Sequence, residues 1–299
     1  MKKILITGAN GLLGQKLVSL LQGKKDFSFL ATGRGESRLG DPSVSWKSMD
    51  ITSKDEVIKV VEAYHPDIII HTAAMTNVDQ CEQDQEGCVK QNINATQYIT
   101  EAAEKVNAFL LHLSTDFIFD GTKGPLTEDE VPNPISFYGK SKLEAEKIVM
   151  KSKVRWAIAR TVLVFGIVKD MSRSNIILWV KKSLEDKKQI NVVDDQWRTP
   201  TLAEDLAMGC YLIAKKEAEG VYNISGEEML TPYDMAMATV DFFKLDPQYI
   251  TRSDSTLFTQ PAKRPPRTGF IIDKAKKELG YKPHTFKEGI ALLKEQMSM

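Results

Sequence analysis

The chain has 299 residues, with 40 Lys+Arg balanced by 40 Asp+Glu, and it is 42% hydrophobic and 27% charged. That composition belongs to a globular protein with a full hydrophobic core and excludes the disordered and membrane classes. Net neutrality argues against nucleic acid as the main partner, because that role needs a basic footprint.

Strand-like and helix-like segments alternate through the first half. Residues 3–7 form a short apolar run, and 11–22 carry Leu13, Leu17, Leu20 and Leu21 at helical spacing. Residues 27–32 and 44–47 read as strands. Residues 53–64 read as a helix capped by Ser53, with Glu56 three later in a capping-box pattern. A buried strand at 67–71, a helix over 86–106 and a buried strand at 108–113 follow. A helix over 135–151, after Pro134, leads to a sixth strand at 155–160. Near-continuous apolar strands separated by helices predict a parallel sheet covered on both faces, which is a doubly wound α/β (Rossmann) fold.

The second half is less regular. Helices are predicted over 174–185, 201–216, 231–243, 273–279 and 286–297, with strands at 190–193 and 221–224. Pro261, Pro265 and Pro266 mark a loop. These patterns divide the chain into a large domain over 1–165, to which 190–224 returns, and a smaller irregular α/β domain from 166–189 and 225–299. Cys81, Cys88 and Cys210 cannot form a disulfide framework and lack metal-ligand spacing to His, so they read as buried thiols of a reducing compartment. No window approaches the roughly 18 apolar residues of a membrane span, and no signal peptide is visible, so a cytoplasmic protein without a membrane partner is expected.

The first strand runs into Thr7-Gly8-Ala9-Asn10-Gly11-Leu12-Leu13-Gly14, a TGxxGxxG loop that opens the first helix. In that context Gly8 permits a tight turn, Gly11 lets the backbone approach a pyrophosphate, and Gly14 lets the helix pack on the sheet. The free N–H groups of the helix N-terminus favour phosphate. The loop, with Asn10, Leu12 and Leu13, is therefore a candidate dinucleotide site, and the large domain its host. A site for NAD usually places Asp or Glu at the end of the second strand, on the ribose 2′-hydroxyl. Here Ala31-Thr32-Gly33-Arg34-Gly35 offers Arg34 instead, with Arg38 nearby. A guanidinium suits a 2′-phosphate, which favours NADP(H); the alternative is a solvated Arg34 and binding of NAD(H) as well. Asp50 and Ile51, after the third strand, are candidates for the adenine end. Ala73 and Ala74 follow the strand at 67–71 as small residues suited to a flat cofactor.

Tyr138-Gly139-Lys140-Ser141-Lys142 contains YxxxK, and Tyr211 with Lys215 forms a second match. Roughly one such match is expected by chance, so context has to separate them. Tyr138 begins a helix after the fifth strand, which ends in Ser114-Thr115-Asp116; Tyr211 sits on the apolar face of a helix and reads as packing. Residues i and i+4 share a helical face, so Lys142 can stabilise a Tyr138 phenolate and draw its pKa down towards neutrality. A phenol so tuned can protonate a carbonyl oxygen as hydride reaches carbon, with Thr115 (Ser114 as runner-up) holding the same oxygen. Parallel strands present such groups at their carboxyl ends, beside the nucleotide crevice.

Together, TGxxGxxG, the hydroxyl pair after the fifth strand and YxxxK resemble the extended short-chain dehydrogenase/reductase family. More narrowly, residues 113–121, 138–143 with Glu146, Arg160-Thr161, Asp195-Gln196, Pro200-Thr201 and Arg264-Pro265 resemble the dTDP-4-dehydrorhamnose reductases. The resemblance implies NADPH-dependent reduction of the C4 ketone of a nucleotide-linked deoxysugar, with Thr115, Tyr138 and Lys142 catalytic. It places Gly8, Gly11, Gly14, Ala73 and Ala74 along the cofactor and Asn94 as a supporting polar residue. It implies Asp116 and Arg160 on the substrate side and Arg264 at a diphosphate. Leu163 stands where the family usually has an aromatic, and Arg198 where it has a small residue, both near the expected sugar site. Some members bind magnesium through an acid just after the glycine loop; Gln15 and Lys16 stand there, so no metal is expected. Two other readings stay open. One is an NAD-dependent nucleotide-sugar epimerase or dehydratase. The other is a non-enzymatic NADP-binding regulatory subunit, as in a relative that serves methionine adenosyltransferase. A homodimer is also left open.

Overall fold

The computed structural model describes residues 1–170 and 174–298. Six strands, β1 (Lys2–Thr7), β2 (Phe27–Gly33), β3 (Trp46–Ser48), β4 (Ile68–His71), β5 (Phe109–Thr115) and β6 (Trp156–Thr161), join a later one, Gly220–Asn223, in one sheet. Its order is Gly220–Asn223, β6, β5, β4, β1, β2, β3, and every pairing in it is parallel. This is the doubly wound order, with its topological switch between β1 and β4.

Alternation along the strands builds two cores. Ile4, Ile6, Ile68 and Ile70 face one side, where Leu17, Val18 and Leu21 of α1 (Leu12–Gln22) and Leu206 and Ile213 of Ala203–Lys216 cover them. Leu5, Ile69, Leu110 and Ile158 face the other, under Val57 and Val61 of α2 (Lys54–Tyr64) and Ile99 of Ala95–Val106. The period of two sends neighbouring side chains to opposite faces, which is why these strands read as unbroken apolar runs.

Several elements differ from expectation. Ser53 accepts from the Glu56 amide, but the Glu56 carboxylate accepts from the Asp50 amide instead of closing a capping box. Full capping boxes occur at Thr231 with Asp234 and at Thr285 with Glu288. The helix expected over 86–106 is interrupted by a wider π-helical stretch, Val89–Asn94, before Ala95–Val106. The helix expected over 273–279 is likewise a π-helical turn, Ala275–Leu279.

Of the stretch 190–224, Ala203–Lys216 and Gly220–Asn223 lie with the large sheet. Ile190–Val193 pairs instead with Ile250–Ser253, a strand not expected from the sequence. Short two-stranded pairings also join Val164–Phe165 to Thr201–Leu202 and Trp197–Arg198 to Arg267–Thr268. Among the described residues, no helix is long and apolar enough to cross a membrane.

Candidate active site

The carboxyl ends of β1, β2, β4 and β5 open into a cavity of about 940 Å³. One end is the glycine loop. Gly8 has a φ of +67°, and a Cβ there would stand 2.8 Å from the Ala73 backbone nitrogen. A Cβ on Gly14 would stand 2.3 Å from the Gly8 carbonyl, so only glycine allows α1 to start this close to β1. Gly11 caps α1 without a side-chain hydrogen bond, and Leu12, Leu13 and Gly14 line the cavity, leaving first-turn amides to face it. Asn10, Arg34, Asp50, Ile51, Ala73 and Ala74 line the same space.

Thr115, Asp116, Tyr138 and Lys142 line it too, from the end of β5 and the helix Phe137–Lys151. Ser136 caps that helix by accepting from the Gly139 amide, which sets Tyr138 in the first turn. A Cβ on Gly139 would meet the Phe117 carbonyl at 2.1 Å, so a glycine next to the tyrosine lets the helix approach the β5 loop. Thr115 neighbours Tyr138, and its hydroxyl donates to Asp116 Oδ1 at 3.1 Å. The Ser114 hydroxyl also lines the cavity and is buried without a hydrogen-bond partner among the described residues.

Electrostatically, burial dominates. It raises the Tyr138 pKa, opposite to the lowering expected from the sequence, with the Thr115 hydroxyl acting against it. Burial lowers Lys142 to about 8, and Glu146 partly offsets this. Lys142 Nζ stands 3.2 Å from Nε2 of buried His112, whose pKa burial and Lys142 together push well down, so the imidazole is neutral and can accept from the ammonium.

Beneath this group lies a buried polar knot. Asn92 Oδ1 accepts from the Met75 amide at 2.8 Å, while its Nδ2 donates to the Met75 carbonyl at 3.1 Å and to Ser141 Oγ at 2.9 Å. Ser141 in turn donates to the Tyr138 carbonyl at 2.7 Å. Asn92 therefore ties the loop after β4 to the tyrosine helix. The supporting polar residue is Asn92 rather than Asn94, because the π-helical stretch shifts which side chain faces inward. An Asn within an otherwise apolar inward face, at i+4 from Cys88, was the available signal.

Two expectations on the substrate side change, and Asp116 keeps its place on the wall with its carboxylate already engaged. Arg160 does not line the cavity: its Nε and NH2 donate to Glu146 at 3.0 and 2.8 Å, with the two side chains 3% and 0% exposed. A guanidinium on β6 facing a carboxylate on the helix above it is neutralised inside the fold. Arg264 is likewise outside the lining, forked onto Asp79 at 2.8 and 2.6 Å. Asp116 lines the cavity, but its carboxylate accepts from Thr115 and Thr268 and lies 3.6 Å from Arg198 Nε. Arg198 also donates to the Pro265 carbonyl at 2.7 Å, so the residue that departs from the family pattern fastens the proline loop over Asp116. Leu163 stands on the cavity wall, 45% exposed, with a φ of +34°. Tyr211 packs edge-on against Phe27 with ring centroids 6.0 Å apart, away from any such site. Among the described residues, no group of three or more His, Cys, Asp or Glu is arranged to hold a metal.

Fold and cavity together define a Rossmann-type α/β protein with an extended short-chain-dehydrogenase-like architecture. The model of the RmlD substrate binding domain family matches residues 1–299, and the chain belongs to that family. It is 33% identical over 248 residues to dTDP-4-dehydrorhamnose reductase of Aggregatibacter actinomycetemcomitans, covering 81% of this chain and 79% of that one. It is 30% identical over 254 residues to methionine adenosyltransferase 2 subunit beta of Bos taurus, covering 83% and 74%. Among solved structures, a dTDP-4-dehydrorhamnose reductase of Clostridium acetobutylicum superposes with a TM-score of 0.88 at 30% identity, over 99% of this chain and 100% of that one. That of Bacillus anthracis, in complex with NADP, gives 0.84 at 25% identity, over 99% of each.

Proposed function

We propose that the chain reduces the 4-keto group of a nucleotide-linked deoxysugar with NADPH. The observation that carries this reading is the placement of Thr115, Tyr138 and Lys142 at one end of a cavity whose other end is the glycine loop and Arg34. The residues present fit a nicotinamide dinucleotide. The first-turn amides of α1 would take the pyrophosphate, Arg34 a 2′-phosphate, Asp50 and Ile51 the adenosine, and Ala73 and Ala74 the flat middle. Tyr138 and Lys142 would meet the nicotinamide ribose. When bound, the nucleotide supplies a hydride. The relatives named as reductases, one of them in complex with NADP, support the same reading.

The chain's own groups then handle the proton. Burial keeps the Tyr138 phenol protonated, so it can donate to the ketone oxygen. The Thr115 hydroxyl, with Ser114 beside it, holds that oxygen. The Lys142 ammonium stabilises the phenolate that remains. Residues 1–165 with 203–223 hold the nucleotide in this reading, and the remainder of the chain chooses the sugar.

A second reading is a nucleotide-binding subunit without turnover. It is favoured by the similarity to methionine adenosyltransferase 2 subunit beta and by the Arg198 cover over Asp116. Loss of NADPH absorbance against a panel of nucleotide-linked 4-keto sugars separates the two. Turnover is expected, and Tyr138→Phe should lower it by about 10²–10⁴-fold, the range for removing a general acid. Full activity in Tyr138→Phe would overturn the assignment of the acid. NADPH binding with no turnover on any sugar would favour the subunit.

A further inference from the structure

We infer that Lys169, which reaches the nucleotide from the substrate side of the chain, is the residue that makes the site select a 2′-phosphate. The inference rests on the reading that a nicotinamide nucleotide lies along the glycine loop. Beside the main cavity lies a smaller polar one of about 470 Å³, walled by Arg34, Glu36, Arg38, Lys169 and Asp170. Arg34, Arg38 and Asp170 line both, so the small cavity opens from the large one at the end marked by Gly33, Asp50 and Ile51.

Three segments distant in sequence are fastened around it. Asn10 Nδ2 donates to the Glu36 carbonyl at 2.9 Å, and its Oδ1 accepts from the Arg38 amide at 2.8 Å, which ties the loop after β2 to the glycine loop. Gln15 Nε2 donates to the carbonyls of Asn10 and Lys169, both at 3.0 Å. The Lys169 side chain lies across Gly40, where a Cβ would stand 3.9 Å from Nζ. Gln15 thus holds Lys169 at the pocket.

The charges of this pocket differ from those of the arginines braced inside the fold. Arg155, Arg160, Arg198, Arg252 and Arg264 each pair with a carboxylate of the chain. Arg34, Arg38 and Lys169 have no carboxylate within 4.0 Å among the described residues, though Glu36 and Asp170 share the walls. Arg34, Arg38 and Lys169 outnumber the two carboxylates around this small polar space and are tied to neither, so they are free to turn towards a phosphate dianion. Arg34 and Arg38 also face the main cavity, where they can meet atoms common to both nicotinamide nucleotides. Lys169 lines only the small pocket, so its contribution reports the 2′-phosphate alone.

The test measures dissociation constants of NADPH, NADH, 2′,5′-ADP and 5′-ADP for the full chain by fluorescence. Lys169→Ala should weaken NADPH and 2′,5′-ADP about tenfold, the loss expected for one charge-assisted contact, and leave NADH and 5′-ADP unchanged. Lys169→Arg should keep most of the preference. Gln15→Ala should shift the same ratio in the same direction by less, because it acts only through the position of Lys169. Equal weakening of NADPH and NADH in Lys169→Ala, or no change, overturns the inference and leaves the reductase reading standing. A wild-type chain that prefers NADH overturns it too. A wild-type chain that binds neither nucleotide overturns both.

Discussion

Basic side chains face two ends of this molecule and do opposite things there. At the end proposed to take the nucleotide, Arg34, Arg38 and Lys169 surround a polar pocket without carboxylate partners among the described residues. At the end proposed to choose the sugar, Arg160, Arg198 and Arg264 are engaged by Glu146, Asp116 and Asp79 respectively. A basic side chain is an open, cavity-facing charge in one place and an internal brace in the other. What decides is whether the fold brings a carboxylate within reach, and burial then sets what breaking the pair costs.

The largest expected effect is on the deepest brace. Arg160 and Glu146 are almost fully buried and forked together, with Arg160 NH1 also donating to the Glu128 carbonyl at 3.0 Å. Arg160→Leu leaves an uncompensated buried carboxylate and should cost about 3–5 kcal/mol in urea unfolding. The double variant Arg160→Leu/Glu146→Leu should recover most of that, because two apolar residues replace two desolvated charges. A normal unfolding midpoint in Arg160→Leu, with a raised KM for the sugar nucleotide, would return Arg160 to the substrate and erase the contrast.

Lys142 sharpens the comparison from the middle of the cavity. It is buried like Arg160, yet its Nζ contacts neutral His112 at 3.2 Å, while the Glu146 carboxylate is held by Arg160. Its pKa falls from an ordinary 10.5 to about 8, which corresponds to roughly 3 kcal/mol against the charged form. Below pH 8 both folded and unfolded chains carry the charge, so the destabilisation is complete. Between pH 8 and 10.5 the folded state sheds the proton first, and the destabilisation fades. Lys142→Met should therefore be more stable than wild type at pH 7, by about 2–3 kcal/mol, with the gap closing as pH rises from about 8 to 10.5. Reductase turnover should vanish in the same variant, and in wild type it should decline as pH rises through about 8. A variant destabilised at pH 7 would show Lys142 to be a structural brace like Arg160.

These contrasts explain which parts of the molecule could be read in the sequence. The sheet and the glycine loop were legible because their signals are local: apolar runs of four to seven residues and a TGxxGxxG turn between strand and helix. Tyr138 and Lys142 were legible because i and i+4 share a helical face. The partners of the arginines were not, since Glu146 lies on a different element from Arg160 and Asp79 is 185 residues from Arg264. Asn92 was missed for a different reason, because a π-helical stretch breaks the α-helical register that pattern reading assumes. Ile250–Ser253 and Val164–Phe165, at four and two residues, are too short to carry a periodic signal. The fall in Lys142 and the rise in Tyr138 come from burial, which sequence spacing does not report.

The smallest effect belongs to Arg264, the most exposed of the braces. Its side chain is 18% exposed and that of Asp79 31%, so solvent screens the pair in a way it cannot screen Arg160 with Glu146. The fork still has a structural task. Asp79 Oδ1 also accepts from the Ala262 amide at 3.1 Å, and Asp79 sits in Val78–Gln83, whose Val78 and Gln80 line the cavity. The pair thus pins the proline loop to the cavity rim. The Arg264 hydrogen bond holds the Asp79 carboxyl below its usual range, so the stabilisation is present above about pH 4 and is lost as pH falls through the lowered value. Arg264→Ala should lower stability by about 1 kcal/mol at pH 7, the value for a well-formed pair near the surface, and the difference from wild type should shrink in acid. If Arg264 instead leaves Asp79 to hold a substrate diphosphate, the same variant would raise KM by an order of magnitude or more while NADPH affinity stays fixed. Unfolding midpoints measured at pH 7 and at about pH 2, alongside KM, therefore decide whether Arg264 belongs with the braced arginines or with the open charges around Lys169.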